Sequence, residues 1–522
     1  MNTKTNMVNN GVMLNAYPDS IGNKLSDTIK MLQRPEFKDA FSLFYILPTF
    51  FNSDLDRGFS IIDYNINKEL VSEVDLAALE KLNIQLKFDI VLNHLSVASP
   101  QFKDLLKNGK DSKYKDFFIN WNSFWKGHGT MNAEGIIIPK EEFLNKLFMR
   151  KSGLPILKVP FPDGSKQPYW NTFYQKIDDD KNILGQMDVN ANSELVWDFY
   201  EETLAKVKSY GCEVLRLDAF AYLHKEVGQT NFFNVPGTWD YLNRIKEIAD
   251  KNDLKLLPEI HAEYGLFLHK EVASHGYQIY DFFLPGLIIH TLEKGSNEAL
   301  IKWANEIIEN SYRTVNMLGC HDGIPVLDLK GKEVNGIYNK GLLLDDEIED
   351  LMNLILDRGG RVKNLYDSEG NKISYYQVNA TYFSALGESE EKLLLARAIQ
   401  LFMPGIPQIW YLDLFAGTND YEAVERAGEG GHKEINRTTL TNKHIEDGLQ
   451  KDIVLNQLKL IKIRNTSKAF SGEIEIEQSS SLDINIKWTN KSHYAHLQAD
   501  LKTYKFVISY NDEDDKEIRL SF

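Results

Sequence analysis

Cysteine is nearly absent from this chain. Only Cys212 and Cys320 occur among 522 residues, each in an apolar, strand-like run. Two such residues make neither a disulfide framework nor a zinc cluster, so we expect both to pack as buried thiols. Long apolar runs are missing too, which excludes a membrane-spanning segment. Residues 1–11 are polar and lack the apolar core of a signal peptide, which predicts a cytoplasmic protein.

Positive charge is also scarce. Lys and Arg number 59 against 75 Asp and Glu, a formal net charge of −16 at pH 7. This balance argues against nucleic acid or an anionic membrane as a partner, and an anionic substrate would need a local cationic pocket. No glycine-rich nucleotide loop and no metal-ligand spacing is visible, so no cofactor is expected.

Four segments share one pattern, an apolar run that ends in charge. In residues 212–220 the run leads to Arg216 and Asp218, which share a face if the segment is a strand. A carboxylate at the carboxyl end of a barrel strand is typical of a catalytic site, although an Arg–Asp pair alone is equally well structural. The other segments are 88–94, ending in Asn-His; 256–261, containing Glu259; and 316–322, ending in His-Asp.

Strand-like runs alternate with amphipathic stretches along most of the chain. The runs are 12–16, 43–47, 86–92, 214–217, 254–257, 277–283, 314–318 and 406–411, and clear helical patterns lie at 196–210 and 238–252. This alternation predicts an α/β fold, a (β/α)₈ TIM barrel. Two-residue alternation at 474–477 and 484–487 predicts a small antiparallel β domain at the C-terminus.

Two insertions interrupt the alternation. We divide the chain into a barrel start at 1–94, an inserted domain at 95–190, barrel at 191–324, an inserted loop and helical subdomain at 325–385, a barrel end at 386–460 and the C-terminal domain at 461–522.

In their order, the four charged segments resemble the conserved regions of the alpha-amylase superfamily of glucoside-active enzymes. Further runs are similar to its sucrose-phosphorylase-type branch: 17–22 (YPDSIG), 56–59 (DRGF), 118–121 (FINW), 170–173 (WNTF), 376–379 (YQVN), 404–408 (PGIPQ) and 434–437 (EINR). The chain is identified as a member of that branch. Membership implies phosphorolysis of sucrose or a related α-glucoside to α-glucose 1-phosphate, with inorganic phosphate as the second substrate, by a monomer or homodimer.

The resemblance assigns a catalytic triad. Asp218 matches the nucleophile, Glu259 the acid/base and Asp322 the carboxylate that grips the sugar. Retention of configuration needs the first two about 5–5.5 Å apart. From the residues we expect Arg216 to hold the pKa of Asp218 low, and the apolar run before Glu259 to hold its pKa up.

The resemblance also implies substrate-binding residues. On the glucose side these are Asp56 for the 4-hydroxyl, Phe59 and Phe173 as aromatic walls, and His94 and His321 as donors. Further substrate-binding residues are Gln186, Arg216, Tyr376, Gln377 and Lys433. Phosphate requires a cationic grip. Arg150 or Lys151 matches the acceptor-site arginine, and Tyr376 matches a loop tyrosine that serves phosphate and fructose. A solvated Arg-Lys pair is the alternative interpretation.

Departures from the branch fall on the acceptor side. Ser374 stands where sucrose phosphorylases carry aspartate, and Tyr376 where enzymes of sucrose 6'-phosphate carry histidine. Lys433 replaces an arginine and loses its planar fork, and Thr438 stands where a histidine is common. The leaving group therefore stays open among fructose, fructose 6-phosphate, glycerol and glycerate. A hydrolase or transglucosidase on the same barrel, or a non-catalytic binding barrel, is the alternative.

Overall fold

The computed structural model describes residues 10–151, 153–177, 183–366, 372–428, 431–477, 480–511 and 516–522, without the side chains of 177 and 363–377. Eight parallel strands form its central sheet: β1 Met13–Ala16, β2 Leu43–Ile46, β3 Gln85–Val91, β4 Cys212–Asp218, β5 Lys255–Pro258, β6 Ile279–Asp281, β7 Thr314–Met317 and β8 Ile406–Trp410. The order is β5-β4-β3-β2-β1-β8-β7-β6. Since β5 also contacts β6, the sheet curls into a nearly closed barrel. All eight predicted strands are confirmed.

The strands are apolar because both of their faces are covered, as in most parallel sheets. Every residue of β1, β2 and β8 is buried. The outer layer consists of the helices Leu25–Leu32, Glu73–Lys81, Glu194–Ser209, Gly237–Lys251, Leu268–Ser274, Leu284–Lys294, Glu298–Glu309, Glu390–Phe402 and Asp452–Thr466. The helical patterns at 196–210 and 238–252 are thus confirmed. In Glu194–Ser209 the buried side chains recur at helical spacing and form one face toward the barrel.

The segment between β3 and β4 is built from short strands around an aromatic cluster. Strand His94–Ser96 pairs with Ile183–Asp188, and Ile156–Pro160 forms a hairpin with Lys166–Trp170. Trp121, Trp125 and Trp170 pack together in a separate core with three isoleucines. This core anchors the segment above the barrel, where its residues reach the mouth. The domain boundaries themselves stay an interpretation.

The segment between β7 and β8 also stands over the mouth. It contains the turn Leu327–Leu329, the hairpin Lys332–Val334 with Ile337–Asn339, the helix Asp345–Asp357 and the hairpin Arg361–Tyr366 with Lys372–Asn379. Helix Asp345–Asp357 begins with three acidic residues, which suits the positive end of the helix dipole.

The C-terminus folds as the predicted antiparallel sheet. Its five strands, in sheet order, are Glu473–Ile476, Asp483–Asn490, His493–Asp500, Phe506–Asn511 and Glu517–Ser521. Ile484, Ile486 and Trp488 alternate inward on the second strand. The Trp488 indole donates to the carbonyl of Phe402, 2.8 Å away, which ties the sheet to a barrel helix.

Cys212 in β4 and Cys320 just after β7 are both buried free thiols, as expected. Within the described ranges, every helix is too short or too polar to cross a bilayer.

Candidate active site

A cavity of about 1240 Å³ opens at the carboxyl ends of the barrel strands. This is the end at which barrels of this type carry their functional residues, because the loops that follow the strands converge there. The residues singled out from the sequence that line it are Asp56, Phe59, His94, Arg150, Phe173, Gln186, Asp218, Glu259, His321, Asp322 and Lys433. Segments that are far apart in the chain therefore meet at one site.

Arg216 organises the carboxylates at the cavity floor. Its Nη1 lies 2.6 Å from Asp89 Oδ1 and 3.0 Å from Asp218 Oδ1, and its Nη2 lies 2.5 Å from Glu259 Oε1. Asp89 stands opposite Arg216 on the neighbouring strand β3, and it also accepts from the Tyr45 hydroxyl. The guanidinium is buried and does not line the cavity. Arg216 therefore contacts the carboxylates beneath the cavity, and its predicted role in substrate binding stays a prediction.

The expected pKa shifts of the two central carboxyls are wrong in direction. Burial, together with Glu259, Asp89 and Asp322, raises the pKa of Asp218 well above its usual value despite Arg216. Burial also opposes ionisation of Glu259, but Arg216 and His261 outweigh it and lower that pKa. The reason is that one guanidinium is shared among three carboxylates, and its second nitrogen faces Glu259. The two carboxyls share one guanidinium and therefore titrate as a coupled pair.

Asp322 is held as an anion on the other side of the cavity. Its Oδ1 lies 2.5 Å from Lys433 Nζ, and its Oδ2 lies 3.2 Å from His321 Nε2. Burial favours the neutral form, yet His321 and Lys433 together hold the pKa of Asp322 well below its usual range. Lys433 therefore keeps the charge contact to this carboxylate, although it lacks the arginine fork.

Aromatic rings form two walls of the cavity. Phe59 stacks on His321 with ring centroids 5.1 Å apart, and Phe173 packs against His94 at 5.1 Å. The carbonyl of Phe59 accepts from Gln186 Nε2 at 3.2 Å and lies 3.0 Å from His94 Nε2. These contacts fix both walls relative to each other before any ligand arrives.

The turn that presents Asp56 is conformationally unusual. Asp56, Arg57 and Gly58 all have positive φ, at 50°, 49° and 104°. Gly58 is required because a Cβ there would lie 2.5 Å from the Thr49 backbone nitrogen. Arg57 holds the turn through Asp19 at 3.1 Å and Glu434 at 3.4 Å.

The two cations predicted for the phosphate site, Arg150 and Lys151, lie in different surroundings. Arg150 lines the cavity, with its guanidinium 5.6 Å above the Phe173 ring and 6.0 Å from the Tyr222 ring. Lys151 does not line it. Its ammonium donates instead to Asn171 and, at 3.2 Å, to Gln175. Arg150, and not Lys151, thus lies at the cavity, while a role of either residue in binding phosphate stays a prediction.

Tyr376 and Gln377 fall on strand Lys372–Asn379, but their side chains lie outside the described residues. Their predicted roles are therefore untested.

Several residues of the site were not assigned a role from the sequence. Asp89 could have been noticed in the sequence, because this charged residue stands directly between the apolar Phe88 and Ile90 of a strand-like run. The buried pair of Lys225 and Asp188, 2.8 Å apart, joins the segment after β4 to the first insertion. Asp328, which contacts His261, carries no sequence pattern, since it lies in an ordinary Leu-Asp-Leu turn.

Comparison with known proteins agrees with this geometry. The sucrose 6(F)-phosphate phosphorylase of Ilumatobacter coccineus is 59% identical over 512 residues, covering 98% of this chain and 97% of that protein. The sucrose phosphorylase of Streptococcus mutans is 34% identical over 509 residues, with 97% and 98% covered. The crystal structure of sucrose 6F-phosphate phosphorylase from Thermoanaerobacter thermosaccharolyticum matches with a TM-score of 0.87 at 34% identity, covering 99% of both chains. No protein-family profile matches the sequence.

The barrel and its arginine-centred carboxylate cluster define an enzyme of the alpha-amylase superfamily. Within that class, the chain belongs to the sucrose-phosphorylase-type subfamily, because its likeness to these relatives extends over nearly the whole length of both partners.

Proposed function

We propose that this protein is a phosphorylase that cleaves an α-glucoside of fructose and transfers the glucosyl group to phosphate, giving α-glucose 1-phosphate. One observation carries the proposal: Asp218, Glu259 and Asp322 line one cavity, the first two against the buried Arg216 and the third against Lys433 and His321. The relatives of highest identity described above bear the name phosphorylase, which favours phosphate over water as the acceptor.

In the first half-reaction Asp218 attacks the anomeric carbon. A bond forms between its carboxylate oxygen and that carbon, the bond to the leaving oxygen breaks, and Glu259 gives that oxygen a proton. This step needs Glu259 protonated and Asp218 ionised, whereas the directions of their pKa shifts favour the opposite distribution. Substrate binding therefore has to reverse that preference within the coupled pair.

Asp322 and the aromatic walls serve the glucosyl group. A carboxylate with a lowered pKa stays ionised, so Asp322 binds sugar hydroxyls and stabilises the positive charge that develops at the anomeric carbon. Phe59 and Phe173 stack against the sugar ring. His94 also borders the cavity, which supports its predicted role as a partner of a sugar hydroxyl.

In the second half-reaction a phosphate oxygen attacks the same carbon and the bond to Asp218 breaks. Arg150 is the cation of the first insertion that faces the cavity, which supports a role for it in holding phosphate. Tyr376 remains a candidate on the resemblance alone.

Sucrose 6'-phosphate is the second candidate donor. The relative with 59% identity is named for that substrate. The phosphate of such a leaving group can be bound by further cations of the cavity lining. One of these is Lys332, which lies 2.9 Å from Glu263.

The test is the release of glucose 1-phosphate and free glucose from sucrose, sucrose 6'-phosphate, glucosylglycerol and glucosylglycerate, each with and without phosphate. We expect phosphate-dependent glucose 1-phosphate from one of the two fructose glucosides. Free glucose at a rate independent of phosphate would identify a hydrolase and contradict the proposal. No turnover of any donor would favour the binding-barrel alternative.

A further inference from the structure

Glu259 has a second cationic neighbour besides Arg216. His261 Nε2 lies 3.7 Å from Glu259 Oε1, the same oxygen that Arg216 contacts. On its far side, His261 Nδ1 lies 3.2 Å from Asp328 Oδ1. The imidazole also stacks on Phe282 with centroids 3.7 Å apart. The ring is thus fixed in plane by a carboxylate at each end and held from one face.

The surroundings of His261 favour its charged form. Burial lowers the pKa of His261, but the Asp328, Glu259 and Asp322 carboxylates that face it outweigh burial and raise the pKa above its usual value. Asp328 is itself buried, in the turn that follows β7. Glu259 therefore lies between Arg216 and His261, and both groups lower its pKa.

The low basicity of Glu259 affects attack by water and attack by phosphate differently. Water must give up a proton to Glu259 as its oxygen attacks the anomeric carbon, so the rate of hydrolysis rises with the basicity of that carboxylate. Hydrogen phosphate dianion attacks through an oxygen that carries no proton, so its transfer needs no general base. Cations around Glu259 thus slow hydrolysis of the glucosyl-enzyme more than its phosphorolysis.

We propose that Asp328 and His261 are a positioning pair for Glu259, which biases the glucosyl-enzyme toward phosphate and against water. Neither residue needs to touch the reacting atoms, because both act through the carboxylate of Glu259. This proposal rests on the proposed function, since it presumes a glucosyl-enzyme that phosphate can attack.

The variants His261→Gln and Asp328→Asn test the pair. His261→Gln removes the cation and keeps a polar side chain, and Asp328→Asn keeps its shape and removes the charge that holds the proton on His261. In both, the pKa of Glu259 should rise. We expect the basic limb of the pH profile of kcat/KM to move up by about one pH unit in His261→Gln, and by less in Asp328→Asn. At saturating phosphate, the fraction of cleaved donor that ends as free glucose should rise roughly threefold.

Glu306→Gln is the matched control, because Glu306 lies 3.1 Å from His269 in a similar histidine–carboxylate pair outside the cavity. It should leave the pH limb and the product ratio unchanged. If both test variants lose rate equally toward phosphate and water, with the limb unmoved, the pair is merely structural and the inference is overturned. Failure of the proposed function looks different: the unaltered enzyme itself would show no phosphate-dependent product.

Discussion

The two ends of the cavity are built in different ways. At the donor end, Asp218, Glu259 and Asp322 follow barrel strands. Buried ion pairs hold the first two to Arg216 and the third to Lys433. At the proposed acceptor end, Arg150 and Lys332 lie on the two inserted segments, and their side chains are more exposed. The donor end is therefore fixed by the barrel, whereas the proposed acceptor end is built from the inserted segments.

This difference explains at which positions the sequence departs from the pattern of the sucrose-phosphorylase-type branch. A change at Arg216 would leave three carboxylates without their shared cation, which is costly in a buried site. A change at Arg150 alters a group that lies over two aromatic rings at the cavity wall. Ser374, Tyr376 and Thr438 also lie in segments outside the barrel strands. Substrate choice can thus change while glucosyl transfer is kept.

The largest effect should come from removing the nucleophile. Asp218→Asn is expected to lower kcat by about 10⁴-fold or more, because no glucosyl-enzyme can form. Initial rates of glucose 1-phosphate release measure this, and the thermal unfolding midpoint serves as the control for folding. Turnover close to that of the unaltered protein would disprove the catalytic account of the donor end.

Loss of the acid/base should depend on the leaving group. Glu259→Gln should slow cleavage of a fructose glucoside by about 10²- to 10⁴-fold, because the leaving oxygen receives no proton. With α-glucosyl fluoride, whose leaving group needs little protonation, the loss should be much smaller. Equal losses on both donors would argue that Glu259 supports the fold rather than the proton transfer.

Substitution of Lys433 tests whether this single cation keeps the Asp322 carboxylate ionised. Lys433→Ala should lower kcat/KM by about 10²-fold. Since Lys433 and His321 hold the pKa of Asp322 down, its removal should raise that pKa and move the acid limb of the pH profile upward. Lys433→Arg keeps the charge and should leave the limb in place. An acid limb that is the same in both variants would contradict this account of Asp322.

The smallest effect is expected when the two adjacent cations Arg150 and Lys151 are replaced one at a time. Arg150→Ala should raise the KM for phosphate about tenfold, because a charged contact at the cavity is lost. Lys151→Ala should change it by no more than about twofold, since that ammonium faces Asn171 and Gln175. Steady-state kinetics at varied phosphate compare the pair. A larger effect at Lys151 than at Arg150 would reverse the assignment.

Local pattern was enough to find much of this architecture. Each barrel strand was visible because a parallel strand covered on both faces has to be apolar over several residues. Arg216 and Asp218 were recognisable as neighbours because strand geometry puts residues two apart on one face. The order of the four charged segments then identified the family, and through it Glu259 and Asp322. Arg150 and Lys151 were not separable in this way, because adjacent residues have the same local pattern.

The sequence by itself determined the barrel and the C-terminal sheet, since these depend on periodicity within single segments, and its resemblance to a family supplied the predicted triad. Only the tertiary structure decided the directions of the pKa shifts of Asp218 and Glu259, because these depend on how Arg216 is shared among the surrounding carboxylates. It likewise brought Asp328 to His261, 67 residues apart in the chain. Electrostatic energies depend on distances and burial across strands, and no short stretch of sequence contains those distances.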